Sequence, residues 1–151
     1  MTKTLPRLKG FDYGACRTYF VTFCLKATVK AFSQPRAADI ACSVIKEFRQ
    51  KAYYYLYAYC VMPDHVHILI RKTANAPTLP LLVAMLKRSI VWQCRLSGIP
   101  IEFQTNFYDR IVRDYECPDD FVTYVLMNPV RARLTESVGD YPYCGKVDAW
   151  M

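Results

Sequence analysis

Tyr59-Cys60-Val61-Met62-Pro63-Asp64-His65-Val66-His67-Ile68-Leu69-Ile70 reads as the end of one β-strand, a tight turn and the start of another. Met62-Pro63-Asp64 carries the turn residues, and the flanks are rich in β-formers. Side chains alternate along a strand, so His65 and His67 leave one face while Val66, Ile68 and Ile70 leave the other. The chain has 2 histidines, and both are here. Two imidazoles side by side on a rigid strand are a natural pair of ligands for a divalent ion. Histidine is also an ordinary half-buried strand residue, so the pair becomes a site only with partners from elsewhere in the chain.

Outward from this hairpin the pattern alternates between strand and helix. Residues 17–27, with Tyr19, Phe20, Val21, Thr22 and Phe23, read as a first strand, 53–61 as a second and 65–71 as a third. Between the first two, Ser33-Gln34-Pro35 opens a helix on which Ala37, Ala41, Val44, Ile45 and Phe48 recur at helical spacing to about Ala52. A second helix covers 78–96, with Leu82, Met85, Leu86, Ile90 and Trp92 on or near its apolar face, and Gly98 and Pro100 end it. A loop from Phe103 leads into a short strand at 108–113. Pro118 opens a last helix with Asp119 and Asp120 in its first turn, where acids suit the helix dipole, and Pro129 is expected to stop it at about Asn128. Residues 135–151 read as an irregular tail. The order strand, helix, strand, strand, helix, strand predicts an α+β, ferredoxin-like β-α-β-β-α-β sandwich. Its four-stranded antiparallel sheet carries two helices on one face. The other face stays open for a ligand or for the last helix. A single domain over 1–151, with its core at about 17–134, accounts for the whole pattern.

Composition narrows the class. An apolar fraction of 53% supports a normal globular core, no stretch is long enough to span a membrane, and the start lacks a secretory leader, so a cytoplasmic protein is expected. The 7 cysteines are odd in number and form no Cys-x-x-Cys. That argues against a disulfide framework or a structural zinc site, and the cysteines are expected to behave as small buried apolar residues. A formal net charge of +7 together with 12 tyrosines suits a nucleic-acid partner, whose phosphates meet cations and whose unpaired bases stack on rings. Lys87, Arg88, Arg110, Arg113 and Arg131 are the candidates for phosphate contact. Arg110 and Arg113 rank first.

A candidate third ligand lies on the last helix, in Tyr124-Val125-Leu126-Met127-Asn128. Tyr124 and Asn128 are i and i+4, hence one turn apart on one face, with Asp120 one turn earlier. The Asn128 amide oxygen is a hard donor suited to Mg²⁺ or Mn²⁺, and the Tyr124 phenol beside it would be a nucleophile held near the metal. A divalent ion offsets phosphodiester charge. A tyrosine nucleophile conserves the bond as a phosphotyrosine, so a strand can be rejoined. Tyrosine therefore points to strand transfer rather than digestion. His-x-His-x-His hydrolases are excluded by Leu69, and a His-x-His-x-Asp-His site by Ile68, Leu69 and Ile70.

Val61-Met62-Pro63-Asp64-His65-Val66-His67-Ile68-Leu69 resembles the HUH motif of single-tyrosine transposases. Phe107–Arg113 and Tyr124–Leu134 resemble the later blocks of one branch, the REP-associated tyrosine transposases. The resemblance covers most of the chain from about Thr18 to Leu134. It implies a metal-dependent single-stranded DNA endonuclease and strand transferase acting at hairpin-forming repeats, on a ferredoxin-like core with the tyrosine on a late helix. By position, His65 and His67 would hold the metal, Asn128 would complete its site, and Tyr124 would form the 5′-phosphotyrosine. Phe103 stands where the family usually has tryptophan, and many relatives carry a longer basic tail after Tyr143. Two other readings stand beside this one: a non-catalytic DNA-binding regulator built on a retired transposase, and a metal phosphodiesterase using water. Monomer and homodimer both remain open.

Overall fold

The computed structural model describes residues 16–26 and 29–150. Five strands are present, β1 (Thr18–Cys24), β2 (Tyr54–Val61), β3 (His65–Lys72), β4 (Tyr108–Ile111) and β5 (Cys144–Lys146). They form one antiparallel sheet in the order β4-β1-β3-β2-β5. Three α-helices complete the fold: α1 (Pro35–Gln50), α2 (Leu79–Leu96) and α3 (Pro118–Arg131). The first four strands have the expected order of the split β-α-β layout, and β3 is the middle strand of five. The histidines therefore sit at the centre of the sheet rather than at an edge.

Strand alternation divides the core into two layers. Tyr19, Val21 and Phe23 of β1 and Val66, Ile68 and Ile70 of β3 pack with α1 and α2. Phe20 of β1, Leu69 of β3 and Cys60 of β2 face the other way and pack under Phe121, Val122 and Val125 of α3. On β2 the register shifts between Leu56 and Ala58. This bulge puts Tyr57 and Ala58 together in the α3 layer, as an extra residue in a ladder must. Both layers are shut by aliphatic and aromatic side chains at or near zero exposure, each worth about 1.5–3 kcal/mol when buried.

The turn before β3 is pinned from outside the hairpin. Leu25 N–H donates to the Asp64 carbonyl at 2.8 Å and Phe32 N–H to the Pro63 carbonyl at 3.1 Å. The position of His65 is thus fixed by β1 and by the short 3₁₀ turn Ala31–Ser33 as well as by its own strand. Phe103 stands against Phe23 and Phe32 with ring centroids 5.4 and 6.1 Å away.

Several expectations are corrected. The first strand ends at Cys24, with Leu25 in a single bridge to Phe103; Ala27, expected within it, lies outside the described residues. The last helix does not stop before Pro129 but runs through it to Arg131. Pro129 lacks the N–H that would reach the Val125 carbonyl. Asn128 Nδ2 at 3.5 Å and Cys144 Sγ at 3.8 Å turn to that carbonyl instead. The helix then closes in a Schellman arrangement, with Leu134 N–H on the Pro129 carbonyl, Arg133 N–H on the Val130 carbonyl, and Arg133 at φ 59°. Trp92, placed near the apolar face, is 57% exposed. Cys16 and Cys117 are exposed, Cys144 is half-buried, and the other four cysteines are buried.

The tail is the largest correction. It adds β5 along β2, so the sheet has five strands rather than four. Gly145 is directly opposite Tyr59, and a Cβ there would lie 3.1 Å from the Tyr59 hydroxyl oxygen, so only glycine fits without displacing that ring. Further along, Asp148 closes the edge of β2. Its N–H donates to the Leu56 carbonyl at 2.7 Å, and its carboxylate accepts from Leu56 N–H at 2.7 Å and from Arg49 Nε at 2.8 Å. The Arg49 hydrogen bond holds the Asp148 carboxyl below the usual carboxylate range. The tail is therefore clamped to the sheet by a charged pair. Because the folded state holds this carboxyl at a lower pKa than the unfolded chain does, its stabilisation is present above about pH 4 and fades as pH falls below that. Asp148→Asn is expected to cost about 1.5–3 kcal/mol in urea unfolding at pH 7. The gap to wild type should narrow below pH 4.

Candidate active site

His65 and His67 leave β3 on the side covered by α3. Their Nε2 atoms converge to 3.1 Å, and their outer nitrogens are held. His65 Nδ1 lies 2.7 Å from Asp64 Oδ1, and His67 Nδ1 lies 2.7 Å from Thr22 Oγ1. Thr22 is the residue paired with His67 across the β1–β3 ladder, so the contact follows directly from register. An Asp64 carboxylate accepts the Nδ1 proton of His65, which leaves His65 Nε2 with a lone pair. The 3.1 Å contact is then a hydrogen bond, His67 Nε2–H donating to His65 Nε2 and the Thr22 hydroxyl to His67 Nδ1; the other His67 tautomer, with Thr22 accepting from Nδ1, would turn both Nε2 lone pairs into the same space. Two nitrogens each about 2.1 Å from one ion and about 90° apart lie about 3.0 Å from each other, so the observed separation fits shared coordination. Buried Thr22 and half-exposed Asp64 are the kind of hydrogen-bond partners that would orient histidines as metal ligands.

His67 is nearly sealed, at 4% exposure. Burial first, then the neighbouring His65 and Arg131, pushes its imidazole down to about 3. The ring is neutral at physiological pH, the state a ligand requires. Phe20 stacks on it with centroids 5.3 Å apart.

Tyr124 comes to this pair from α3. Its ring is 6.2 Å from the His67 ring and edge-on to Phe20 at 5.6 Å, while the side chain remains 48% exposed. The helix face predicted to carry the phenol thus does lie over the histidine face of the sheet. Arg131 stands 4.3 Å over the Tyr124 ring, and its guanidinium donates to the Tyr124 carbonyl at 2.6 Å. His67, Tyr124 and Asp120 line a cleft of about 780 Å³ with Tyr108, Arg110 and Tyr115.

Other predicted residues fall differently. Asn128 is on the Tyr124 flank of α3, but its Nδ2 is turned back to the Tyr124 carbonyl at 2.9 Å. The carbonyl acceptors fix that end as the nitrogen, which leaves Oδ1 as the end suited to a cation. Arg110 is in the cleft yet ion-paired to Glu116 at 2.6 Å and stacked over Phe121. Arg113 has its backbone N–H on Glu116 Oε1 at 2.9 Å and lines a neighbouring pocket. Lys87 and Arg88 belong to α2, in the opposite layer, where Lys87 Nζ caps the carbonyls of Gln104 and Asn106 at 2.8 and 3.1 Å. Among the described residues no cluster of three or more His, Cys, Asp or Glu side chains forms a metal cage, so any ion here would draw its remaining ligands from Asn128, water or substrate. Thr22, Phe20 and Glu116 were not singled out from sequence. Thr22 needed the cross-strand register, whereas Asp64, beside His65, could have been read as its orienting partner.

Residues 16–95 match the IS200-like transposases, and the chain belongs to that family of DNA-processing enzymes. It is 27% identical over 149 residues, covering 87% of this chain and 81% of the relative, to a Haemophilus influenzae protein named as a REP-associated tyrosine transposase. Its fold is that of a REP-associated tyrosine transposase solved bound to a REP hairpin, with a TM-score of 0.70 and 19% identity over 94% of this chain and 82% of that one. A Deinococcus radiodurans protein described as a transposase is also similar, with a TM-score of 0.51 and 16% identity over 87% of this chain and 94% of that one. No helix of the described residues is long and apolar enough to cross a membrane.

The state of His67 predicts a pH effect in metal-free protein. The unfolded chain takes up this proton near 6.5 and the folded chain only near about 3. Stability from this group is therefore complete above pH 6.5 and declines as pH falls towards 3, at about 1.4 kcal/mol per unit. Urea unfolding between pH 7 and pH 4 should show that slope in wild type, and His67→Asn should flatten it.

Proposed function

We propose that this protein nicks and rejoins single-stranded DNA, using Tyr124 as nucleophile and a Mg²⁺ or Mn²⁺ ion held by His65 and His67. The observation that carries the reading is the convergence of the two Nε2 atoms, 3.1 Å apart, on the same sheet face that the Tyr124 ring approaches. When bound, the ion would offset charge on a non-bridging phosphate oxygen. The chain supplies the rest. Tyr124 Oη attacks phosphorus, the bond from phosphorus to the 3′ oxygen breaks, and the phenol proton ends on the released 3′ hydroxyl by way of solvent. The product is a 5′-phosphotyrosine, and the reverse attack by a 3′ hydroxyl rejoins a strand. Arg131, fixed on the helix with its guanidinium over the Tyr124 ring, would supply a cation near the phosphate. The Asn128 amide oxygen would complete the metal site. A strand carrying a hairpin-forming repeat is the substrate proposed, by analogy with the relative solved on a REP hairpin.

The test is an adduct assay. Full-length protein, Mn²⁺ and an end-labelled hairpin-bearing strand should give a covalent species on a denaturing gel. Tyr124→Phe should abolish it, and Arg131→Ala should slow it roughly 10²-fold. Cleavage that persists in Tyr124→Phe would instead establish water as nucleophile, and binding without either product would establish a DNA-binding regulator.

A further inference from the structure

The tail strand brings two cysteines face to face on the side of the sheet covered by α3. Cys60 of β2 and Cys144 of β5 are paired directly across the ladder. The next pair along, Val61 and Tyr143, is joined by Val61 N–H donating to the Tyr143 carbonyl at 2.8 Å. Hydrogen-bonded and non-hydrogen-bonded pairs alternate along an antiparallel ladder. Cys60 and Cys144 are therefore a non-hydrogen-bonded pair, in which Cα atoms stand about 4.5 Å apart and side chains are closest. That separation lies within the range of about 4.4–6.8 Å that a disulfide spans. Both side chains belong to the α3 layer. The Cys60 thiol donates to the Cys144 sulfur, which holds the Cys144 thiol below its ordinary range. Exposure separates the two. Cys60 is fully buried, whereas Cys144 is half-buried. Cys144 lines a pocket of about 180 Å³ between the end of α3 and the tail, with Leu126, Pro129, Val138 and Tyr141.

We infer that Cys60 and Cys144 are an oxidisable dithiol, which a small hydroperoxide closes into a disulfide between the sheet and the tail. This chemistry is independent of the strand-nicking reading above. Cys144 is the sulfur that an oxidant reaches first, through the pocket. Its sulfur attacks one peroxide oxygen and the O–O bond breaks. The thiol proton leaves with the second oxygen as water, and Cys144 becomes a sulfenic acid. The Cys60 sulfur then attacks the Cys144 sulfur. The S–S bond forms, the S–O bond breaks, and the Cys60 proton leaves with the hydroxyl as a second water. Two thiols are oxidised and one peroxide is reduced to two waters. In the dithiol the Cys144 thiol donates to the Val125 carbonyl at 3.8 Å. Closure removes that S–H and leaves the carbonyl to Asn128 Nδ2. The bond would therefore fasten the tail to β2 while loosening its tie to the helix that carries Tyr124.

The experiment treats folded full-length protein with an equivalent of hydrogen peroxide, blocks the remaining thiols without reductant, and maps linked peptides by mass spectrometry. A Cys60–Cys144 bond is expected, with the loss of two hydrogens and reversal by dithiothreitol. The bond closes the long loop between positions 60 and 144, so the oxidised protein should show an unfolding equilibrium constant in urea roughly 10²- to 10³-fold lower. Cys144→Ser should show neither the bond nor the oxidant-dependent shift. Cys42→Ser, in the opposite layer, should show both. Cys60→Ala, which lacks the second thiol, should stop at a Cys144 sulfenic acid that dimedone traps. A wild-type protein whose 7 thiols all remain free would overturn the pair. So would a bond to Cys42 or to exposed Cys16 or Cys117, or a Cys144 oxidised without a partner. An oxidised protein whose urea transition does not move, or moves down, would show that the bond does not fit the native ladder, and would overturn it as well.

Discussion

The antiparallel register between β1 and β3 is the constraint on which the site depends. It sets Thr22 across from His67 and Cys24 across from His65. A slip of one residue would turn both imidazoles into the aliphatic layer under α1 and α2. That slip would expose Val66, Ile68 and Ile70 to the α3 side, so the register is enforced by burial of these side chains. The same burial that fixes the strand desolvates His67 and keeps it neutral. Folding and the neutral state of His67 are therefore set by one alternation pattern.

The second constraint is the path of α3. Phe121, Val122 and Val125 seat the helix on Phe20, Leu69 and the bulged Tyr57-Ala58 of β2. Tyr124 then falls beside His67 and keeps an open side to the cleft. Continuation through Pro129 adds a further turn, and Arg131 occupies it over the Tyr124 ring. Had the helix stopped before Pro129, the cation would not stand beside the phenol on a rigid scaffold. The carbonyl freed by Pro129 is partnered by Asn128 and by Cys144 of β5, which ties the tail strand to the helix that bears Tyr124.

Much of this was legible in the residues. Alternation in Tyr53–Ile70 and helical spacing in the two long helices determined the strand and helix order, and His-Val-His placed two imidazoles on one face without any knowledge of pairing. The i, i+4 relation of Tyr124 and Asn128 placed them on one flank of a helix, and that flank does reach the sheet. What the pattern could not supply was contact across elements. Pro129 was taken as a stop because a missing N–H is a local fact, whereas the donors that compensate for it come from Asn128 and from a strand beyond the helix. Residues 144–146 are too short for an alternation signal, and Gly145 looks like a loop residue until the Tyr59 ring opposite explains it. Lys87 and Arg110 were read as candidates for phosphate contact because charge is visible in sequence and partners are not. Lys87 caps loop carbonyls in the other layer, and Arg110 pairs with Glu116.

The central claim is that His65 and His67 share one divalent ion beneath Tyr124. The most direct test is a crystal structure of the full chain grown with Mn²⁺, with anomalous diffraction locating the ion. A single strong anomalous peak is expected within bonding distance of both Nε2 atoms, on the side of β3 that faces Tyr124, with Thr22 and Asp64 still holding the outer nitrogens. An absent peak, or an ion bound elsewhere with the two imidazoles still in mutual contact, would contradict it.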